Sequence, residues 1–502
     1  MEVNDKRIAK NSLMLYSRMF LSMIVGLYTS RVVLQTLGVE DFGIYGVVGG
    51  IVTMMGFLNS SMNNVSSRYI AFELGKGANS QLKQIFCTAV IIHLLIASII
   101  VIIGETIGMW FLCNKLVIPE SRLYAAKWVL QLSILSAAIS ITQTPYSACI
   151  IAHEKMEIYA YFELLHVFLK LLIVYLLVVS DWDKLIVYSI LVAATSIFMQ
   201  VLYRFYCVRN YKESSFEWIW NRPLIKNMIA FTSQNIFAHF SFSVRQQGVN
   251  FVLNMLFGVA VNAACGLVST IQGIVLQFSN NILVAFNPQI IKNYSKNDYS
   301  EMNRLMINAS KYSMLLLLLF IIPLVLELPQ VLQLWLGMVP EHTVIFARIS
   351  LISLITCLTN PLYTGLLATG KIKQFSTFQG TLYLITPFIV YFICSLYGRP
   401  YISYLIIFLF QMLISLANIY FLKKNIPSFS ISLFVKSTLF DVILPSLLVA
   451  FVLLLLKHQL QASFLRTIVL SFLSIVLLSS ITFVRMDKST RSLIIHKVFN
   501  KV

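Results

Sequence analysis

Apolar stretches long enough to cross a bilayer fill this chain almost from end to end. A hydrocarbon core of about 30 Å needs about 20 apolar residues per helix, and about fourteen segments meet that length. They run over residues 12–35, 42–62, 85–112, 127–148, 159–180, 185–208, 227–256, 259–285, 306–328, 344–366, 375–397, 401–422, 438–456 and 464–483. The connections between them are too short to hold a soluble domain. Barrel strands would alternate apolar and polar over about ten residues, and these segments do not. The pattern therefore predicts an all-α integral membrane fold of about fourteen transmembrane helices. The polar start at 1–11 and the length of 12–35 predict a retained first span in place of a cleaved signal.

The pattern also repeats. Leu37-Gly38-Val39 followed by Gly46 recurs as Phe257-Gly258-Val259 followed by Gly266, and Pro145, Ala152 and Lys155 recur as Pro361, Ala368 and Lys371. Both offsets are near six spans, an even number, so the two copies share one orientation. This predicts two six-helix lobes in a parallel pseudo-twofold repeat, with a substrate site between lobes near the bilayer midplane. The expected boundaries are an N-terminal lobe at 1–209, a cytoplasmic linker at 210–226, a C-terminal lobe at 227–424, and two extra helices with a basic tail at 425–502. The linker carries Trp218 and Trp220, whose rings suit a membrane interface.

Charge adds topology. Only 12% of residues are charged, yet the formal net charge is +18. Most basic residues fall on one set of loops and ends, among them Lys6, Arg7, Lys10, Arg204, Arg209, Lys311, Lys423 and the C-terminal tail. Few fall on the other set, which holds Lys115, Arg122, Lys127, Lys184, Arg399, Lys457 and Arg466. This asymmetry predicts both termini in the cytoplasm, with the excess basicity meeting anionic phospholipids and no nucleic acid. The seven cysteines are scattered singly, without metal or redox spacing, and read as small apolar residues in helix contacts. No phosphate-binding loop, metal-spaced histidine pair or nucleophile elbow occurs, so neither an enzyme nor a bound cofactor or metal is expected.

Candidate chemistry lies in the polar residues within the spans, since a charge at that depth is costly and is by default functional. Five basic residues fall there: Arg18, Arg31, Lys170, Arg245 and Arg348. Arg31 and Arg348 are close enough to span ends to snorkel, and Lys170 and Arg245 are deepest. The seventh span places Asn235, His239, Gln246 and Asn250 on one face, with Gln234, Ser241 and Arg245 beside it. Such a face suits either water or interhelical hydrogen bonds. Guanidinium groups pair bidentately with phosphate, and amides bond sugar hydroxyls. Arg18, Arg31, Lys170, Asn235, His239, Arg245, Gln246 and Asn250 are accordingly the candidate substrate ligands. The fifth span aligns Glu163, His166 and Lys170 at spacings of three and four, which makes Glu163 and His166 candidate ion-coupling groups, or partners in a neutralised cluster.

The first span and its sequel also carry a recognisable string: Asn11, then Arg31 six residues before Leu37-Gly38, then Phe42-Gly43-Ile44-Tyr45-Gly46, then Arg68-Tyr69-Ile70-Ala71. With the span count and the two lobes, this resembles the Wzx-type polysaccharide flippases, the O-antigen and capsule-unit exporters of the MATE-like multidrug/oligosaccharidyl-lipid/polysaccharide superfamily. The resemblance implies export of a lipid-linked oligosaccharide on an undecaprenyl diphosphate carrier across a bacterial inner membrane by alternating access. It implies work alongside a polysaccharide polymerase and other export machinery in lipopolysaccharide assembly, while the lack of an ATP site leaves an ion gradient, or removal of product by later enzymes, to drive any uphill step. A drug or cation antiporter of the same superfamily, a flippase for the peptidoglycan lipid precursor, and a membrane polysaccharide polymerase or ligase stay open as alternatives.

Overall fold

The computed structural model describes residues 2–75, 81–153, 155–461 and 463–485. Among them no strand occurs, and every apolar segment lies in helix. The helices are α1 (Glu2–Thr53), α2 (Gly56–Gly75), α3 (Leu82–Ile103), α4 (Met109–Asn114), α5 (Leu123–Ala152), α6 (Met156–Val179), α7 (Lys184–Asn210), α8 (Arg222–Phe257) and α9 (Val259–Ser295). They continue as α10 (Tyr299–Leu336), α11 (Thr343–Ser353), α12 (Asn360–Ala368), α13 (Lys373–Tyr397), α14 (Ile402–Asn425), α15 (Ile431–Thr438), α16 (Leu444–Gln459) and α17 (Phe464–Arg485). Short changes of winding join α3 to α4, α11 to α12 and α15 to α16 into longer rods.

Twelve helices among the described residues are long and apolar enough to cross a membrane. The expected segments at 12–35 and 42–62 count as one in that number although α1 is two helices that meet at a kink at Gly38, and α8, rich in Asn, Gln and Ser, is not among the twelve. The segment at 42–62 is itself interrupted, by a turn at Met54 and Met55.

The repeated glycines explain where the chain bends. Gly38 has φ 78° and ψ 171° within α1, and Gly258 has φ 81° and ψ −176° between α8 and α9. This region of positive φ with extended ψ is open essentially to glycine alone. The two copies of the motif thus adopt one conformation for one reason. Close approach is the second use of glycine. A Cβ on Gly43 would lie 2.0 Å from the Val259 carbonyl oxygen, so the two backbones touch there. Lipid tails are as apolar as leucine, so contact between spans rests on such small residues and on hydrogen bonds.

The chain divides into two units. Unit 1 comprises Met1–Gly266 with Gly380–Pro400, and unit 2 comprises Leu267–Gln379 with Tyr401–Val502. In unit 1, Ile44, Val47 and Val48 of α1 pack with Ile96 and Ile100 of α3 and Val129 and Leu130 of α5. The segment between α7 and α8 is held to this body by ion pairs of Lys83 with Glu217 and of His153 with Glu213. Trp218 and Trp220 on it are exposed, as an interfacial role requires. In unit 2, Ile322 of α10 packs with Val449 and Leu453 of α16 and Leu470 and Leu478 of α17. α10 contains Pro323 and Pro329 and bends at Glu327, where proline disrupts the hydrogen-bond ladder of the preceding turn.

Lys311, grouped above with the basic loops and span ends, falls within the expected span 306–328 and in the structure lies well inside α10, where it is buried and paired with Asp441 at 2.8 Å.

Candidate substrate site

Arg245 on α8 has the most distinctive surroundings of the expected ligands. Its guanidinium carbon lies 4.6 Å from the Tyr383 ring centroid and 5.2 Å from that of Phe242. Phe242 precedes it by three residues on the same helix, and Tyr383 comes from the part of α13 that belongs to unit 1. α13 approaches closely because Gly248, one turn on from Arg245, faces Pro387, whose Cγ would be 2.8 Å from an added Cβ. Among the described residues no carboxylate pairs with Arg245, and its Nε is buried without a hydrogen-bond partner. Ring faces hold the cation in place while leaving its N–H donors unspent.

The neighbouring amides divide into two kinds. Gln246 is exposed and His239 is partly buried. Asn250 is engaged by Asn262. The Asn262 side-chain amide donates to the Asn250 carbonyl at 2.8 Å and to its Oδ1 at 2.7 Å. Asn254 in turn donates to Asn262 Oδ1 at 2.9 Å and accepts from the Val117 amide at 2.8 Å. This buried network spans the Gly258 bend and fastens α8 to α9, which is interhelical glue. The Arg18 and Asn235 side chains lie outside the described residues. Arg31 and Arg348 are partly buried in α1 and α11.

On α6, Lys170 is exposed while Glu163 and His166 are partly buried. At about 100° per residue these three share one side of the helix, and the exposed apolar residues Phe168, Leu172, Tyr175 and Val179 share the opposite side. The charged stripe therefore faces away from the apolar surface of α6. Among the described residues no ion pair joins Glu163 to Lys170.

Unit 1 also holds an open cavity of about 480 Å³ that the sequence reading missed. Ser133, Ser136 and Ser140 of α5 line it together with Thr53, Asn59 and Ser189, and no charged side chain does. Its signal was present, since serines at spacings of three and four mark one polar face in an otherwise apolar helix.

Several other charges in each unit are paired. Arg122 binds Asp41 at 2.7 Å and Asp183 at 2.7 Å. Burial pushes the Asp183 carboxyl up, but the bonds from Arg122 and from the Ile186 and Leu185 amides outweigh it and leave the group below its ordinary value. In unit 2 the buried Glu327 accepts from Arg466 at 2.8 Å, with Lys457 at 3.8 Å. Lys311 and Asp441 line a polar cavity of about 670 Å³ together with Arg304, Asn303 and Asn308.

Comparison with solved structures places this architecture. A structure described as lipid II flippase MurJ in an inward closed conformation superposes with a TM-score of 0.70 at 14% identity, over 94% of this chain and 99% of that one. The fold is shared with that protein. An inward-facing multidrug resistance MATE family transporter of the MOP superfamily gives 0.65 at 11% identity, over 82% and 95%. The MATE multidrug transporter DinF-BH gives 0.58 at 17%, over 84% and 96%. No family model matches the chain, and no curated protein matches it in sequence. At these identities the likeness establishes an all-helical, multi-pass membrane fold of the MATE and MurJ kind.

Proposed function

We propose that the protein is a flippase that carries an undecaprenyl-diphosphate-linked oligosaccharide from the cytoplasmic to the periplasmic leaflet of a bacterial inner membrane, with both termini cytoplasmic. The observation that carries this reading is Arg245: a guanidinium held by two aromatic rings, with no carboxylate partner among the described residues. A diphosphate is the ligand that such a group suits, because the fork of N–H donors matches phosphate oxygens. The hydroxyl-lined, uncharged cavity of unit 1 suits sugar rings, which exchange hydrogen bonds with serine and asparagine. The likeness to a lipid II flippase agrees with a lipid-linked substrate, and the likeness to inward- and outward-facing transporters agrees with alternating access and with transport in place of catalysis.

A drug or cation exporter would place an acid in its cavity, and the described cavity of unit 1 has none. Glu163 and His166 are proposed to link the cycle to an ion gradient. Protonation beside Lys170 would change the charge of that face and so the relative affinity of the two states for an anion. Deleting the gene tests the reading. Lipid-linked oligosaccharide should accumulate on the cytoplasmic leaflet, and Arg245→Ala should fail to clear it. Normal display of every surface glycan in the deletion strain would overturn the proposal.

A further inference from the structure

The C-terminal end of α5 gathers groups that transport does not use. Cys149 and His153 are four residues apart on one helix face, where the His153 amide donates to the Cys149 carbonyl at 3.0 Å. Glu213, from the short turn after α7, brings its carboxylate to 2.6 Å from His153 Nε2 and 4.0 Å from Cys149 Sγ. The three ligand atoms all lie within 4.8 Å of one another. Cys149 is fully buried, and the His153 and Glu213 side chains are 24% and 14% exposed, so the group opens to solvent on one side. Tyr211 stacks on the imidazole at 4.1 Å with the planes 9° apart, which fixes the ring. The Cys207 thiol, on the last turn of α7, donates to the Tyr146 carbonyl at 3.4 Å.

We infer that Cys149, His153 and Glu213 form a binding site for a zinc ion. The donor set is one sulfur, one imidazole nitrogen and one carboxylate oxygen, which suits zinc and does not suit magnesium or calcium. Three protein ligands leave the fourth tetrahedral position to water. Bonds of about 2.0–2.3 Å put neighbouring ligand atoms about 3.3–3.8 Å apart. The Cys149–Glu213 separation is close to that, and the His153–Glu213 hydrogen bond opens by about 1 Å as the ion replaces the shared proton. Binding releases the Cys149 proton to solvent, and the proton that His153 Nε2 shares with Glu213 moves to Nδ1, so that the ring coordinates as neutral imidazole. The ion joins the end of α5 to the segment that leads into α8, the helix that carries Arg245. A hydrogen bond between His153 and Glu213 alone would join the same elements and leave the thiol unused.

The test uses the full-length protein, purified in detergent with reductant, and cobalt(II) as the probe. Wild type should take up one cobalt per chain with a thiolate-to-metal absorption band, and zinc should displace it. Cys149→Ser and His153→Ala should lose the band. Zinc should raise the thermal midpoint of wild type by several degrees and a chelator should lower it, a measurement that needs no variant. The inference is overturned if wild type shows neither band nor shift. It is also overturned if both variants keep the wild-type band.

Discussion

Arg245 in unit 1 and Lys311 in unit 2 are both basic groups inside long helices, and their surroundings differ in kind. Lys311 is buried and answered by Asp441 at 2.8 Å. Arg245 is partly buried and answered by the faces of Phe242 and Tyr383. A carboxylate neutralises a cation and spends its donors, whereas a ring face stabilises the charge and leaves the donors free. The same division runs through the rest of the chain. Arg122 and Arg466 each end on buried or half-buried acids, and each reads as a clasp. A basic group within a membrane fold thus becomes a candidate ligand through the partner it lacks, more than through its depth.

The comparison can be broken most severely at Arg245. Arg245→Ala should lower export about a hundredfold, the scale of removing one partner of a desolvated charge contact, while protein abundance stays constant. Arg245→Lys should restore only part of it, since the bidentate fork is lost. Lys311 should behave oppositely. Lys311→Met leaves Asp441 uncompensated and should cost about 3–5 kcal/mol of stability, read as a lower unfolding midpoint. Lys311→Met with Asp441→Leu should recover most of that loss and retain transport. Loss of transport in a stable double variant would make Lys311 a ligand and erase the distinction.

Backbone effects come next in size. Gly258→Ala forces a side chain into positive φ, at about 1–3 kcal/mol, and should also impair transport because the bend follows the helix of Arg245. Gly38→Ala should cost a similar amount of stability. Equal stability of either variant and wild type would contradict the reading of these bends. The smallest effect concerns the Arg122 clasp. The Asp183 carboxyl is held below its ordinary value, so its contribution is present above about pH 4 and is lost as pH falls through the lowered value. Thermal midpoints of wild type and Asp183→Asn should converge as the pH is lowered from neutral through that range, and parallel curves would exclude the linkage.

How far the sequence foretold this molecule varies with the range of the interaction. Apolar runs and the two glycine motifs depend on local geometry, and each appears in the structure as helix or bend. Lys311 lies within the apolar run at 306–328, yet its partner Asp441 is 130 residues away and no spacing rule points to it. Asn250 lay on the expected polar face, yet its amide is taken by Asn262, and no spacing rule reveals that partner across a bend. The Cys149, His153 and Glu213 group is more distant still. Glu213 is 60 residues from His153 in sequence, so a search by spacing sees only isolated residues. The rings around Arg245 follow the same rule: Phe242 is visible three residues away, whereas Tyr383 arrives only through folding.

Flipping measured in proteoliposomes addresses the central claim most directly. Purified protein would be reconstituted with a lipid-diphosphate-linked oligosaccharide whose sugar is accessible to an added enzyme only in the outer leaflet. Wild type should expose the inner pool over the course of the assay, Lys311→Met with Asp441→Leu should do the same, and Arg245→Ala should leave the pool protected. An inner pool that stays protected with wild type, or one exposed equally by Arg245→Ala, would contradict the account.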